Sequence, residues 1–325
     1  PSAAATYPYN DSVINFIPTI TGTAYDSPAG ISQGKVYVAM KEVDPSGGWW
    51  DPAASTFNAT TPVYSTATVF GTGPNYTWSW QSPPLQDGYR YMVECYAEDK
   101  AGNVGVPTAL GRIYFRYDIT PPSCGITLPN KVWHNYLPTV SGTANDAFGI
   151  SLVKVAYQID PPGGSWWDGT GFNSAQPQFF NAVGVNPWTH SQNDSPPSPT
   201  WSDGVEYLVR AYCYDVAGNT STYVDSQFKY DSVKPTSTVT SPPSGNYYSS
   251  LPQITGACYD GHSGVEKVEI RLINVTDNLA WFGSEGWKDI AVYGSSWVVV
   301  NNVWVSSWAY TAAVTFTSGK RYEVT

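Results

Sequence analysis

Ile17-Pro18-Thr19-Ile20-Thr21-Gly22-Thr23-Ala24-Tyr25-Asp26 occurs three times in slightly altered form. It returns as Leu137-Pro138-Thr139-Val140-Ser141-Gly142-Thr143-Ala144-Asn145-Asp146, and again as Leu251-Pro252-Gln253-Ile254-Thr255-Gly256-Ala257-Cys258-Tyr259-Asp260. The shared glycines lie 142 − 22 = 120 and 256 − 142 = 114 residues apart. Self-similarity at a near-fixed interval means that one structural unit is repeated, and it outranks any residue-level reading. Each copy then leads through a glycine into an alternating segment. Gly30-Ile31 opens onto Lys35-Val36-Tyr37-Val38-Ala39-Met40, Gly149-Ile150 onto Val153-Lys154-Val155-Ala156-Tyr157-Gln158-Ile159, and Gly264-Val265 onto Lys267-Val268-Glu269-Ile270-Arg271-Leu272-Ile273. A period of two sends successive side chains to opposite faces, the mark of a half-buried strand.

Three more landmarks follow in the same order. The third is aromatic: Gly47-Gly48-Trp49-Trp50-Asp51, Gly163-Gly164-Ser165-Trp166-Trp167-Asp168-Gly169, and more loosely Trp281-Phe282-Gly283 with Trp287. The fourth is a tryptophan strand, an Asp-Gly turn and a tyrosine strand. It runs Trp78-Ser79-Trp80, Asp87-Gly88 and Tyr89-Arg90-Tyr91 in the first block, and Trp201, Asp203-Gly204 and Tyr207-Leu208-Val209 in the second. In the third it runs Trp308-Ala309-Tyr310, Ser318-Gly319 and Tyr322-Glu323-Val324. The fifth is Asp99-Lys100-Ala101-Gly102-Asn103 and Asp215-Val216-Ala217-Gly218-Asn219, whose Gly and Asn suit a turn between strands. The strands after it end in Tyr117-Asp118 and Tyr230-Asp231, ahead of the Pro-bearing joins Ile119-Thr120-Pro121-Pro122 and Ser232-Val233-Lys234-Pro235. About seven short strands per block predict an all-β chain of tandem immunoglobulin-like β-sandwich domains, at 1–117, 118–230 and 231–325. No long segment carries a 3.6-residue period.

Composition narrows the function. Only 13% of the 325 residues are charged, while Trp (14) and Tyr (24) are abundant, and the formal net charge is −10. An acidic chain without a basic cluster repels phosphate backbones, so no nucleic acid is expected. No run of 18 apolar residues offers a membrane span, and no signal peptide is visible. His134, His190 and His262 fall at unrelated places in the repeat and are expected in exposed or polar loops. No metalloprotease, P-loop or nucleophile-elbow motif is present, so no enzyme is expected. Cys95, Cys124, Cys213 and Cys258 lack metal-ligand spacing and read as small core residues. The alternative is one bridge, Cys124 to Cys213, inside the second block.

The motifs Asp-x-Thr-Pro-Pro, Gly-Thr-Ala-x-Asp, Trp-Trp-Asp-Gly and Asp-x-Ala-Gly-Asn, quoted above, resemble those of bacterial immunoglobulin-like repeats from large secreted and cell-surface proteins. The resemblance covers nearly the whole chain. It implies fold and an extracellular or surface location, with spacer, stalk or adhesin roles, and calcium between domains in some similar arrays.

Several residue sets follow as expectations. Asp26, Asp99 and Asp118 of the first block, with Asn103, and Asp146, Asp215 and Asp231 of the second, with Asn219, are expected near one end of their sandwich. There they are calcium ligands or simple turn formers. In the adjacent pairs Trp49-Trp50 and Trp166-Trp167 one ring of each faces inward, leaving the other to stack on glycan or pack on a neighbour. Asn10, Asn58, Asn75, Asn193, Asn219 and Asn274 open Asn-x-Ser/Thr triplets, acceptors of N-glycosylation in suitable hosts. The third block stops mid-strand, without a counterpart of residues 211–230. Either the chain is a segment of a longer array, or another copy's N-terminal segment, including Pro1, Tyr7, Tyr9, Ile14 and Phe16, completes the sandwich by strand exchange. The expected function is a stalk, surface layer or filament whose partners are copies of itself or neighbouring repeats. The alternatives are an adhesin or carbohydrate-binding module and an accessory region of a secreted hydrolase.

Overall fold

The computed structural model describes residues 1–108 and 111–325. The chain is all-β. Among the described residues, α-helix is confined to Ile290–Tyr293, and a 3-10 turn lies at Gly283–Glu285. Alternating β-branched and aromatic residues drive this outcome, because they fill one face of a pleated strand and leave the other to water.

The first block carries two sheets. One orders Ser2–Tyr7, Thr19–Tyr25, Asn75–Gln81 and Thr68–Phe70. The other orders Ser12–Ile14, Ile113–Tyr117, Arg90–Asp99, Ile31–Asp44, Trp49–Asp51 and Thr56–Ala59. Pairing is antiparallel except for Ser12–Ile14, which runs parallel to Ile113–Tyr117. Ile20, Ala24 and Trp78 of the first sheet share one buried cluster with Val36, Val38, Tyr91, Val93 and Phe115 of the second. This layering is consistent with a β-sandwich. The second block repeats it. Ser123–Leu128, Thr139–Asn145 and Trp188–Ser191 form one sheet, and Trp133–His134, Val224–Tyr230, Glu206–Asp215, Ile150–Ile159, Trp166–Trp167 and Phe172–Ser174 the other. Val140, Ala144 and Trp188 meet Val153, Val155, Tyr157 and Tyr207 between them. In the third block Thr236–Ser241, Ile254–Tyr259, Ser307–Tyr310 and Asn302–Val303 form one sheet. The long strand expected over 267–273 is broken at Arg271, so Glu269–Ile270 and Leu272–Asn274 belong to separate small sheets. Among the described residues no sheet mixes strands of two blocks.

The repeated glycine has a specific structural cause. Gly22, Gly142 and Gly256 stand directly opposite Trp78, Trp188 and Trp308 in register. All three indoles are fully buried. A Cβ on any of these glycines would fall inside the indole ring and onto a carbonyl of the neighbouring strand, at Ala4, Gly125 or Thr238. The register corrects the match of Trp201 to Trp78. The true counterpart is Trp188, because the Pro-rich stretch after Trp188–Ser191 lengthens that connection. Trp201 lies outside the strands, where its Nε1 donates to the Leu137 carbonyl at 2.5 Å and its ring meets Tyr207 at 4.9 Å.

The N-terminal segment is engaged within its own block. Ser2–Tyr7 pairs with Thr19–Tyr25 from Ser2↔Tyr25 onward, and Ile14 pairs with Tyr117. Of the strand-exchange candidates only Tyr9 and Phe16 are well exposed, at 74% and 71%, while Pro1 lies 3.3 Å from Asp26. Donating this segment to another copy would first break these internal pairs.

Candidate metal centre

The acidic residues divide between the blocks differently from the expected grouping. Arg90 pairs with Arg116, while Asp99, at the far end of the same strand, pairs with Ile31. The strand that delivers Asp118 therefore leaves the block at the end opposite to Asp26 and Asp99. Asp118 joins the next block, where one carboxylate oxygen from each of Asp118, Asp146 and Asp215 lies within 4.8 Å of the others. Asp231 is likewise separated from Asp146 and Asp215, and its Oδ2 accepts the Ser263 amide at 3.0 Å in the third block.

Local chain chemistry builds each arm of the cluster. Asp215 opens the Asp-x-Ala-Gly-Asn turn, accepting the Gly218 and Asn219 amides on Oδ1 at 2.6 and 2.8 Å and the Asn219 Nδ2 on Oδ2 at 2.8 Å. Asp99 does the same for Ala101 and Asn103. Asn219 also donates to the Asp118 carbonyl at 2.9 Å, and its Oδ1 accepts Asn15 Nδ2 at 3.1 Å. One side chain thus ties the linker, the first block and the second block together. Asp146 accepts the Phe148 amide at 2.7 Å.

Asp118 is the unusual member. It is 1% exposed. Its Oδ1 accepts the Thr120 amide at 3.1 Å, while its Oδ2 is buried with no hydrogen-bond partner. Burial holds its carboxyl above the ordinary carboxylate value, and the charges of Asp146, Asp215 and Asp87 add to the effect. A buried anion beside two others costs free energy unless a cation compensates it. Calcium takes oxygen ligands at about 2.4 Å, so oxygens on opposite sides of one ion stand about 4.8 Å apart. The three carboxylates fit that spacing. Among the described residues this is the one group of three or more ligand-type side chains so placed.

Asp87, in the Asp-Gly turn, clamps the same linker. It accepts the Ile119 amide at 2.7 Å and the Thr120 hydroxyl, and these bonds, the hydroxyl first, hold its carboxyl below its ordinary value. Asp203 repeats this at the next joint, accepting the Ser232 amide and, at 2.9 Å, its hydroxyl.

The other expected sites resolve as follows. Trp49 and Trp166 are buried in small clusters, against Ala39 and Met92 and against Ala156 and Leu208. Trp50 and Trp167 pack on the main cores, Trp50 at 5.1 Å from Phe57 and Trp167 at 5.3 Å from Phe172. Neither pair leaves one ring free, because the strands' outer faces carry apolar clusters of their own. Asn10, Asn58, Asn75 and Asn193 are exposed. Asn274 is 3% exposed and bonded to Asp277, and Asn219 is committed to the junction, so these two correct the acceptor set. His190 is fully buried and bonds Tyr157 at 2.6 Å, and His134 meets Phe228 edge-on from a strand, so only His262 matches the exposed placement. Burial holds the imidazoles of His190 and His134 below the ordinary value. The bridge expected as an alternative would join Cys124 to Cys213, which lie on strands of the two sheets that pack against each other. All four cysteines are free, and burial pushes the Cys124 thiol up to about 12.

No protein-family model matches the chain, and no curated protein is significantly similar to it.

Proposed function

We propose that this chain is an extracellular structural protein, a row of immunoglobulin-like sandwiches forming a stalk, surface layer or filament whose first joint is stiffened by calcium. The observation that carries the reading is the joint itself, built twice from the same parts. An Asp of the Asp-Gly turn grips the linker (Asp87, Asp203), and the Asp that ends the preceding strand folds back onto it (Asp118, Asp231). Such bonding removes the rotational freedom that a short linker otherwise retains. At the first joint the three carboxylates supply a hard-cation site, and extracellular modules of this kind bind calcium in the sub-millimolar to millimolar range. The low charge and the many Thr, Ser and Asn residues of the chain suit a protein exposed to the medium. Trp50 and Trp167 pack on the main cores, and this supports architecture over sugar recognition at those two pairs.

Electron microscopy of the intact chain with calcium and with chelator tests the proposal. Straight rods or regular fibres with calcium, bending at the first joint in chelator, are expected. Freely hinged particles in both conditions would reject it.

A further inference from the structure

The two sheets of the second block face each other across its core, and each contributes a cysteine to the same region. Cys124 lies on Ser123–Leu128 of one sheet, and Cys213 on Glu206–Asp215 of the other, two strands that approach within 8 Å between Cα atoms. Cys213 is fully buried, and its Sγ donates to the carbonyl of Ser123, the residue before Cys124, at 3.4 Å.

The repeat supplies an internal control. Cys124 pairs with Ala144 as Ala3 pairs with Ala24 and Ser237 with Cys258, so Ala3, Cys124 and Ser237 occupy one position. Cys213 stands two residues before Asp215, as Ala97 stands two before Asp99, and both are fully buried. The first block therefore has alanine at both positions and the second has cysteine at both. Cysteine as a generic small core residue gives no reason for the two positions to change together. A covalent partner does.

We infer that Cys124 and Cys213 are an oxidisable pair that forms a disulfide across the two sheets of the second block. The oxidant is a low-molecular-weight disulfide. The half-buried Cys124 thiol attacks it, forming a mixed disulfide and releasing one thiol with the proton. Cys213 then attacks the Cys124 sulfur and releases the second thiol. Two protein S–H bonds and the reagent's S–S bond break. One protein S–S and two S–H bonds form, and two electrons pass to the reagent. An oxidising extracellular compartment favours this product, but the chemistry stands apart from the architectural proposal.

The bond would close 213 − 124 = 89 residues of the 113-residue block into a loop. Under tension that loop is shielded. At about 3.4 Å per extended residue, some 300 Å of release is lost, and the block's unfolding step falls to roughly a fifth. The test is incubation of the intact chain with oxidised glutathione, both native and during refolding from denaturant, followed by thiol titration and peptide mapping. Two of the four thiols are expected to disappear, with a peptide linking Cys124 to Cys213 and a melting midpoint higher by about 10 °C that reductant reverses. C124A and C213A, which install the first block's own residues, are expected to keep all their thiols. Retention of four thiols under both regimes, or linkage through Cys95 or Cys258, overturns the inference.

Discussion

Replacing Gly142 by alanine adds one methyl group where the structure leaves no room. The new Cβ would overlap both the Trp188 indole and the Gly125 carbonyl on the neighbouring strand. Gly142 is absent from the positive-φ residues, so the penalty is steric rather than conformational. Overpacking a core costs about 1–3 kcal/mol. The upper end applies here, because neither a fully buried indole nor a main-chain carbonyl can rotate away. About 3 kcal/mol is a large part of the roughly 5–15 kcal/mol that holds a domain of this size together. The corresponding fall in melting midpoint is about 10–15 °C for the second block. Scanning calorimetry of the intact chain would read it, with G163A as control, since a Cβ at Gly163 meets nothing within 4 Å. In a Trp188→Phe background the added methyl should cost much less, a non-additivity that reports direct contact. A G142A midpoint within about 2 °C of the parent would refute the reasoning, as would equal losses in both backgrounds.

Asp118→Asn should change sign with calcium. In chelator at neutral pH it removes a buried, uncompensated charge, so the variant melts at or above the parent. At calcium 100-fold above its dissociation constant the parent gains about 2.7 kcal/mol and overtakes it. Equal melting of the two proteins in both conditions would reject the site. Because the Asp118 carboxyl is raised in the folded state, the calcium-free parent loses stability as pH rises from below the ordinary carboxylate value through the raised one. The D118N protein should lack this component in a pH series of melts. Asp168 is held well below its ordinary value by the Asn173 and Thr170 side chains and by the amides of Thr170 and Gly171. Its stabilisation is present above the unfolded value near 4 and fades as pH falls. D168A should therefore melt lower than the parent at pH 7 and converge with it in acid, and a pH-independent gap would count against this. Trp167→Ala should destabilise the second block by about 2–3 kcal/mol through lost packing on Phe172 and the lost bond to Pro197. Calorimetry would show this, and an unchanged midpoint would return Trp167 to a surface-binding role.

Strand content was legible from the sequence because it rests on local rules. A period of two, turn residues at fixed offsets and five landmarks in fixed order need no knowledge of distant contacts. The Asp-x-Ala-Gly-Asn turn was legible for the same reason, since its bonds join residues at most four apart. Pairings across sheets and across joints were not. Whether Trp188 or Trp201 faces the repeated glycine depends on register, and whether Asp118 belongs with Asp99 or with Asp215 depends on the end at which a strand leaves its block. The meeting of Cys124 with Cys213, 89 residues on, has the same origin. A chain's pattern states which faces must be buried. Only closing the sheets against one another decides which buried residues touch, because that choice is made by long-range packing rather than by any local preference.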